Sequence, residues 1–180
     1  MTEFVSTVLA LLTIIANILA VLLAFDLWYY GTARRSESRV ITFAESYGIE
    51  AVFIISFIAM VGSLYYSNVA GYTPCVMCWY QRIAMYPMAV LGAVALYVKK
   101  SHLFLYTLPL SLIGMFLSGY HYLLQVGVIE SLSCSTVGYS ISCSENFVLR
   151  YGYITIPMMA FSAFTLIALV SFSNRNRNTD

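Results

Sequence analysis

Charge is what this chain has least of. Only 9% of its 180 residues are Asp, Glu, Lys or Arg, nine basic residues nearly cancel eight acidic ones, and neither sign forms a long run. A nucleic-acid-binding surface needs clustered basic side chains, so that class is excluded. Hydrophobic residues make up 61% and aromatics 16%, which leaves a soluble domain of this length too little polar surface to face water. Also missing are the short alternating segments of a membrane barrel, any internal repeat and any low-complexity tract.

What is present is a set of long apolar stretches. Five reach the length of about 18 residues that a bilayer core demands of a helix: Phe4 to Tyr30, Ile49 to Tyr66, Trp79 to Val98, Leu103 to Val126, and Tyr153 to Phe172. The pattern predicts an all-α membrane protein. The first stretch opens with Glu3 instead of a basic region and runs too long for a secretion signal, so it is read as a span. Asp26 near its end, beside Trp28, Tyr29 and Tyr30, is read as an interfacial acid reached by tilting, not a functional acid inside the bilayer. The boundaries that follow are an N-terminal transmembrane helix over 1–30, a cytoplasmic connection over 31–48, a four-helix membrane domain over 49–173 and a cytoplasmic tail over 174–180. The connection mixes Arg, Glu, Ser and apolar residues, as a short amphipathic helix on the membrane surface does.

Five spans alternate sides, and the basic residues then sort themselves. Arg34, Arg35 and Arg39 follow the first span, Lys99 and Lys100 the third, and Arg175 and Arg177 the fifth, all on one face. The positive-inside rule makes that face cytoplasmic. The N-terminus, the segment around Tyr72 to Cys78 and the segment from Gly127 to Gly152 are then outside. Tyr65, Tyr66, Tyr72, Trp79, Tyr80, Tyr120, Tyr122, Tyr151 and Tyr153 form a matching aromatic belt.

The four cysteines all fall on the outer side: Cys75 and Cys78 in Thr-Pro-Cys-Val-Met-Cys-Trp, and Cys134 and Cys143 in the loop before the last span. An even count on an oxidising side points to disulfides. Cys75 and Cys78 bracket the entry to a helix after Pro74, where free N–H groups and the positive end of the helix dipole favour a thiolate. A two-residue loop contributes little as a staple, so this pair reads as a redox couple. Cys134 and Cys143 lie in a Ser-rich stretch with Gly138, and two readings stand for them: a staple of the outer loop, or a relay to a partner protein or to the first pair. Zinc is the remaining use of four thiols, but the second pair lacks the usual knuckle spacing and the compartment favours oxidation, so no metal is expected.

Arg82 follows Cys78 by four residues and so lies on the same helix face one turn deeper. It either snorkels to headgroups or donates hydrogen bonds to a quinone carbonyl whose oxygen gains negative charge. His121, five residues from the outer end of the fourth span, lies at the depth of Arg82 and can meet it if the two helices are neighbours. It is then either a structural histidine or a proton-handling group at the same site. Gln81 adds a further hydrogen-bond donor there.

At these residues the chain resembles the DsbB family of membrane disulfide oxidoreductases, and its BdbC-type members in particular. The resemblance runs from about Ile49 to Phe172. It rests on Pro74-Cys-Val-Met-Cys-Trp-Tyr-Gln-Arg82, His121-Tyr-Leu-Leu-Gln125, a cysteine pair in the next outer loop, and Tyr151-Gly-Tyr-Ile-Thr-Ile-Pro157 opening the last span. It implies a four-helix transmembrane bundle with a quinone, ubiquinone or menaquinone, beside the CxxC helix, and a thioredoxin-fold dithiol partner of the DsbA or BdbD kind. By the same resemblance Cys134 forms the mixed disulfide with that partner, Cys143 completes its pair, electrons pass to Cys75, and Cys78 faces the quinone. It further implies a multi-pass protein of a prokaryotic plasma membrane; the charge pattern, with the extra first span, puts the N-terminus outside and the C-terminus in the cytoplasm. The first span is extra to the family pattern. Two other readings are weighed against this one. A quinone reductase of the vitamin K epoxide reductase type places its loop pair before the CxxC, the reverse of the order here, and a non-enzymatic scaffold keeps both bridges closed.

Overall fold

The computed structural model describes residues 1–30, 38–98, 102–129 and 148–175. Six helices account for nearly all of them: α1 (Thr2–Tyr30), α2 (Arg39–Ser46), α3 (Gly48–Asn68), α4 (Val76–Val98), α5 (Leu103–Gln125) and α6 (Ile156–Asn174). All but α2 are long and apolar enough to cross a membrane, as helices that satisfy their own backbone groups must be in lipid. The protein is therefore an all-α membrane bundle. Among the described residues the one β pairing is an isolated antiparallel bridge between Arg150 and Ile154, closed through Tyr151 and Gly152, both with positive φ.

α3 to α6 form a four-helix bundle, α3 against α4, α4 against α5, α5 against α6, and α6 back against α3. Small residues set how closely these helices approach, because lipid gives apolar side chains no reason to associate and close packing must do it. A Cβ on Gly114 of α5 would lie 2.2 Å from the Phe164 ring of α6, and one on Gly92 of α4 would lie 3.0 Å from the Phe53 backbone of α3. Phe164 is fully buried as a result. Thr107 of α5 and Ser171 of α6 share a hydrogen bond of 2.8 Å across the seam.

α1 lies outside this bundle, against α6 and α2. Near its start Ser6 Oγ accepts a hydrogen bond of 3.1 Å from Tyr66 of α3, and Glu3 pairs with Arg150. Near its end the Asp26 carboxylate accepts a hydrogen bond from Ser38, whose oxygen also caps α2 by accepting from Ile41 N–H at 3.3 Å. Asp26 is thus tied to the start of the connecting helix. α2 turns Ile41 into the core and leaves Phe43 exposed, the amphipathic form expected of this segment. The last span starts later than its apolar run: Thr155 is extended, Pro157 opens the first turn of α6, and Tyr153 belongs to the preceding turn.

Candidate functional site

The short segment from Gly71 to Cys75 turns the chain from α3 into α4, and Cys75 is the residue immediately before the first helical one, Val76. Cys78 therefore sits in the first turn of α4, where backbone N–H groups lack intrahelical acceptors. The two sulfurs are 3.4 Å apart and unbonded, a dithiol in position to close. Cys75 is buried and Cys78 half-buried.

Each sulfur faces a different neighbour. Cys75 Sγ lies 3.6 Å from His121 Nε2 on α5. The other ring nitrogen, Nδ1, is 3.0 Å from Gln81 Nε2. An amide nitrogen only donates, so Nδ1 accepts and the neutral ring carries its proton on Nε2, directed at the Cys75 sulfur. Cys78 instead lines a cavity of about 340 Å³ together with Gln81, Arg82, Ser63 and Tyr86. Cys75 and His121 are not among the residues that line it.

The helix period explains this division. Arg82 is one turn below Cys78 and shares its face, while Gln81 is rotated by about 100° from Arg82 and reaches both the cavity and His121. Arg82 turns toward α3: Nε donates to Ser63 Oγ at 2.9 Å and Nη2 to the Ser63 carbonyl at 3.2 Å. Its guanidinium stands 5.1 Å from the centre of the Trp79 ring. The Nη1 group has no acceptor among the described residues, and this cation lines a mostly apolar space.

The expectation that Arg82 and His121 meet directly is corrected by this geometry. α5 approaches α4 on the side of Cys75 and Gln81, so His121 joins the sulfur couple, and Arg82 joins the cavity. Sequence reasoning passed over Ser63, one of several hydroxyls in its span and with nothing in the sequence to set it apart from Ser56. The expectation of a thiolate at the head of α4 is also divided unequally. The Cys75 thiol is pushed up to about 12, first by its hydrogen bond with Cys78 and then by burial, with His121 opposing both. Cys75 thus holds its proton in neutral solution, and the reduced pair carries at most one charge. Cys75, Cys78 and His121 also bring their ligand atoms within 4.8 Å of one another, three of the four donors a closed zinc site uses. Cys134 and Cys143, placed by sequence in a relay, lie outside the described residues.

The chain that carries this CxxC couple at the end of a span, with a histidine on one side and an arginine one turn along, is similar to known proteins. The model of the family described as disulfide bond formation protein DsbB matches residues 48–173. The chain belongs to the DsbB family. Curated relatives agree: it is 37% identical over 128 residues to a probable disulfide formation protein C 1 of Bacillus anthracis, covering 71% of this chain and 91% of the relative. It is 38% identical over 120 residues to disulfide bond formation protein C of Bacillus subtilis, covering 66% and 86%, and 41% identical over 117 residues to a probable disulfide formation protein of Oceanobacillus iheyensis, covering 64% and 80%. No solved structure matches. The DsbB match begins at the start of α3, so α1 and α2 stand outside it. Family membership makes this a multi-pass membrane protein of disulfide formation, with a disulfide oxidoreductase role.

Proposed function

We propose that the protein is a thiol:quinone oxidoreductase that reoxidises a DsbA- or BdbD-like thioredoxin-fold dithiol protein outside the cell and delivers the electrons to ubiquinone or menaquinone in the membrane. The observation that carries this reading is the position of Cys75 and Cys78 between a buried imidazole and an apolar cavity headed by Arg82. The donor set fits a quinone: polar groups gather at the end next to Cys78, and the remaining wall is apolar. A quinone bound there supplies the two-electron, two-proton acceptor that returns Cys75 and Cys78 to the disulfide.

The chain's own residues perform the rest. Cys134 and Cys143, as a disulfide, accept attack by a thiolate of the partner, and the partner's second thiol completes its own disulfide while this pair becomes a dithiol. The new dithiol then reduces the Cys75–Cys78 disulfide by the same exchange. In that exchange a loop thiolate attacks Cys75 and releases Cys78; when the second loop thiol then closes the loop disulfide, Cys75 is the leaving sulfur, and the Nε2 proton of His121 stabilises the charge it takes up. Gln81 fixes the tautomer that makes this possible. Cys78, the sulfur on the cavity wall, is left to face the acceptor. Arg82 is held by Ser63 on the wall of the same cavity, where its guanidinium serves as an oxyanion-stabilising donor.

Orientation enters through charge. Arg39 and Arg175 lie at one end, where Asn174 donates to the Ala44 carbonyl at 3.0 Å, and the cysteine couple lies at the other. With the positive end cytoplasmic, the N-terminus and the couple are outside, in the plasma membrane of a prokaryote.

The test is to mix purified protein, a reduced thioredoxin-fold dithiol partner and a soluble quinone analogue, and to follow quinone absorbance. Cys75→Ser and Cys78→Ser abolish quinone reduction, and Arg82→Gln lowers its rate by about 10²-fold, the size of a lost oxyanion donor. Reduction that continues unchanged in the cysteine variants overturns the proposal.

A further inference from the structure

The helix that the family match leaves out forms one wall of the site. We propose that α1 and α3 together form a lipid-facing slot for the prenyl tail of the quinone, so that binding depends on α1 in proportion to tail length. This rests on the quinone reading of the cavity above.

α1 contributes Leu9, Leu12, Thr13, Ile15, Ala16 and Leu19 to the cavity that Cys78 and Arg82 head. From Leu9 to Leu19 is about 15 Å of helix, a length that a quinone ring does not span and an extended prenyl chain does. Thr13 donates its hydroxyl to the Leu9 carbonyl at 2.8 Å, so α1 presents the slot with no free polar group along this wall. The room comes from small side chains: Ala16 on α1, Ala59 and Gly62 on α3, Ala160 and Ala163 on α6.

The slot also has a way in. α1 is tied to the bundle near both ends, by Ser6 to Tyr66 and Glu3 to Arg150 at one, and by Asp26 to Ser38 at the other. Between the ties, α1 and α3 flank the cavity. Leu12, Ile15 and Leu19 on α1 and Ile54 and Ile58 on α3 line it and are 38–53% exposed. In a bilayer those surfaces meet lipid tails. A hydrophobic ligand dissolved in the membrane thus reaches Cys78 laterally, without crossing the headgroups.

The experiment uses full-length protein in lipid nanodiscs with Trp28→Phe, which leaves Trp79, stacked on Arg82, as the one tryptophan. Quenching of Trp79 fluorescence reports binding of a long-chain prenyl quinone and of the same ring without a tail. In Ala16→Phe, which fills the slot, affinity for the long-chain quinone falls about tenfold and affinity for the tail-less ring stays within about twofold, as loss of tail burial alone dictates. Val21→Phe, on the exposed side of α1, changes neither. As a check that needs no variant, a prenyl quinone carrying an azide on its tail labels peptides containing Leu12 to Leu19. Equal affinities in wild type and Ala16→Phe, or label confined to α3 through α6, overturn the slot while ring binding that responds to Arg82→Gln leaves the quinone reading standing. Absence of Trp79 quenching by either quinone in the wild-type protein overturns both.

Discussion

α6 and α1 are alike in composition, two apolar helices long enough to span a bilayer, yet they join the molecule in different ways. α6 packs against every other helix. It is seated by shape, with Phe164 filling the space beside Gly114 and Asn174 donating to the Ala44 and Val170 carbonyls at 3.0 and 2.9 Å. α1 buries only Ser6, Ala10, Thr13, Ala20 and Leu23 and is attached near its ends. The difference shows how a span can be added to an existing bundle. Lipid satisfies most of its surface, a few polar ties set its position, and the gap between the ties is left for a ligand.

The largest effect that sharpens this contrast belongs to the α5–α6 seam. Gly114→Val places atoms where the Phe164 ring lies, and since overpacking in a close-packed interior has no room to relax, the variant fails to accumulate as folded protein in membranes. A comparable change on the lipid side of α1, Leu11→Val, leaves the thermal midpoint in detergent unchanged.

A smaller effect concerns Cys75. Its thiol is raised from 9.0 to about 12, so the folded dithiol holds a proton that the unfolded chain releases above pH 9. The stability this provides is whole below pH 9 and is lost as pH climbs through about 12. Thermal unfolding of the reduced protein therefore weakens across that window relative to the oxidised protein, which has no thiol to ionise at Cys75. His121→Ala removes the group that opposes the rise. It slows exchange at Cys75 by about fivefold to tenfold, the worth of one hydrogen bond, and moves the alkaline limb of the rate profile to higher pH. An unchanged profile in that variant would mean that His121 only fills space.

The smallest effect is at the tie between α1 and α3. Tyr66→Phe removes the hydrogen bond to Ser6 and costs about 1 kcal/mol in unfolding free energy. It also increases proteolytic cutting after α1, while the four-helix bundle stays intact.

The bundle was readable because apolar length is a direct physical requirement of the bilayer, and all five spans begin within three residues of the apolar runs that predicted them. The fifth begins at Ile156, three residues after Tyr153, because Gly152 turns the chain and Pro157 opens the helix. The site was half readable. Cys78 and Arg82 share a face by helix period alone, so their alignment over one cavity follows from spacing. The capture of Arg82 by Ser63 and of His121 by Cys75 does not, because which helices adjoin depends on close approaches at Gly92 and Gly114 that no periodicity announces. The part of α1 was hidden for a related reason. A leucine that faces lipid and a leucine that faces a ligand tail belong to the same pattern.

The central claim is that Cys75 and Cys78 hand their electrons to a quinone in the adjoining cavity, and thiol counting tests it most directly. Pre-reduced protein lacking the loop pair, Cys134→Ala with Cys143→Ala, is mixed with one equivalent of quinone in the absence of air, and free thiols are counted by mass-tagged alkylation. The account predicts that both remaining thiols disappear as the quinone is reduced, and that Arg82→Gln slows their loss. Both thiols surviving while the quinone stays oxidised would contradict it.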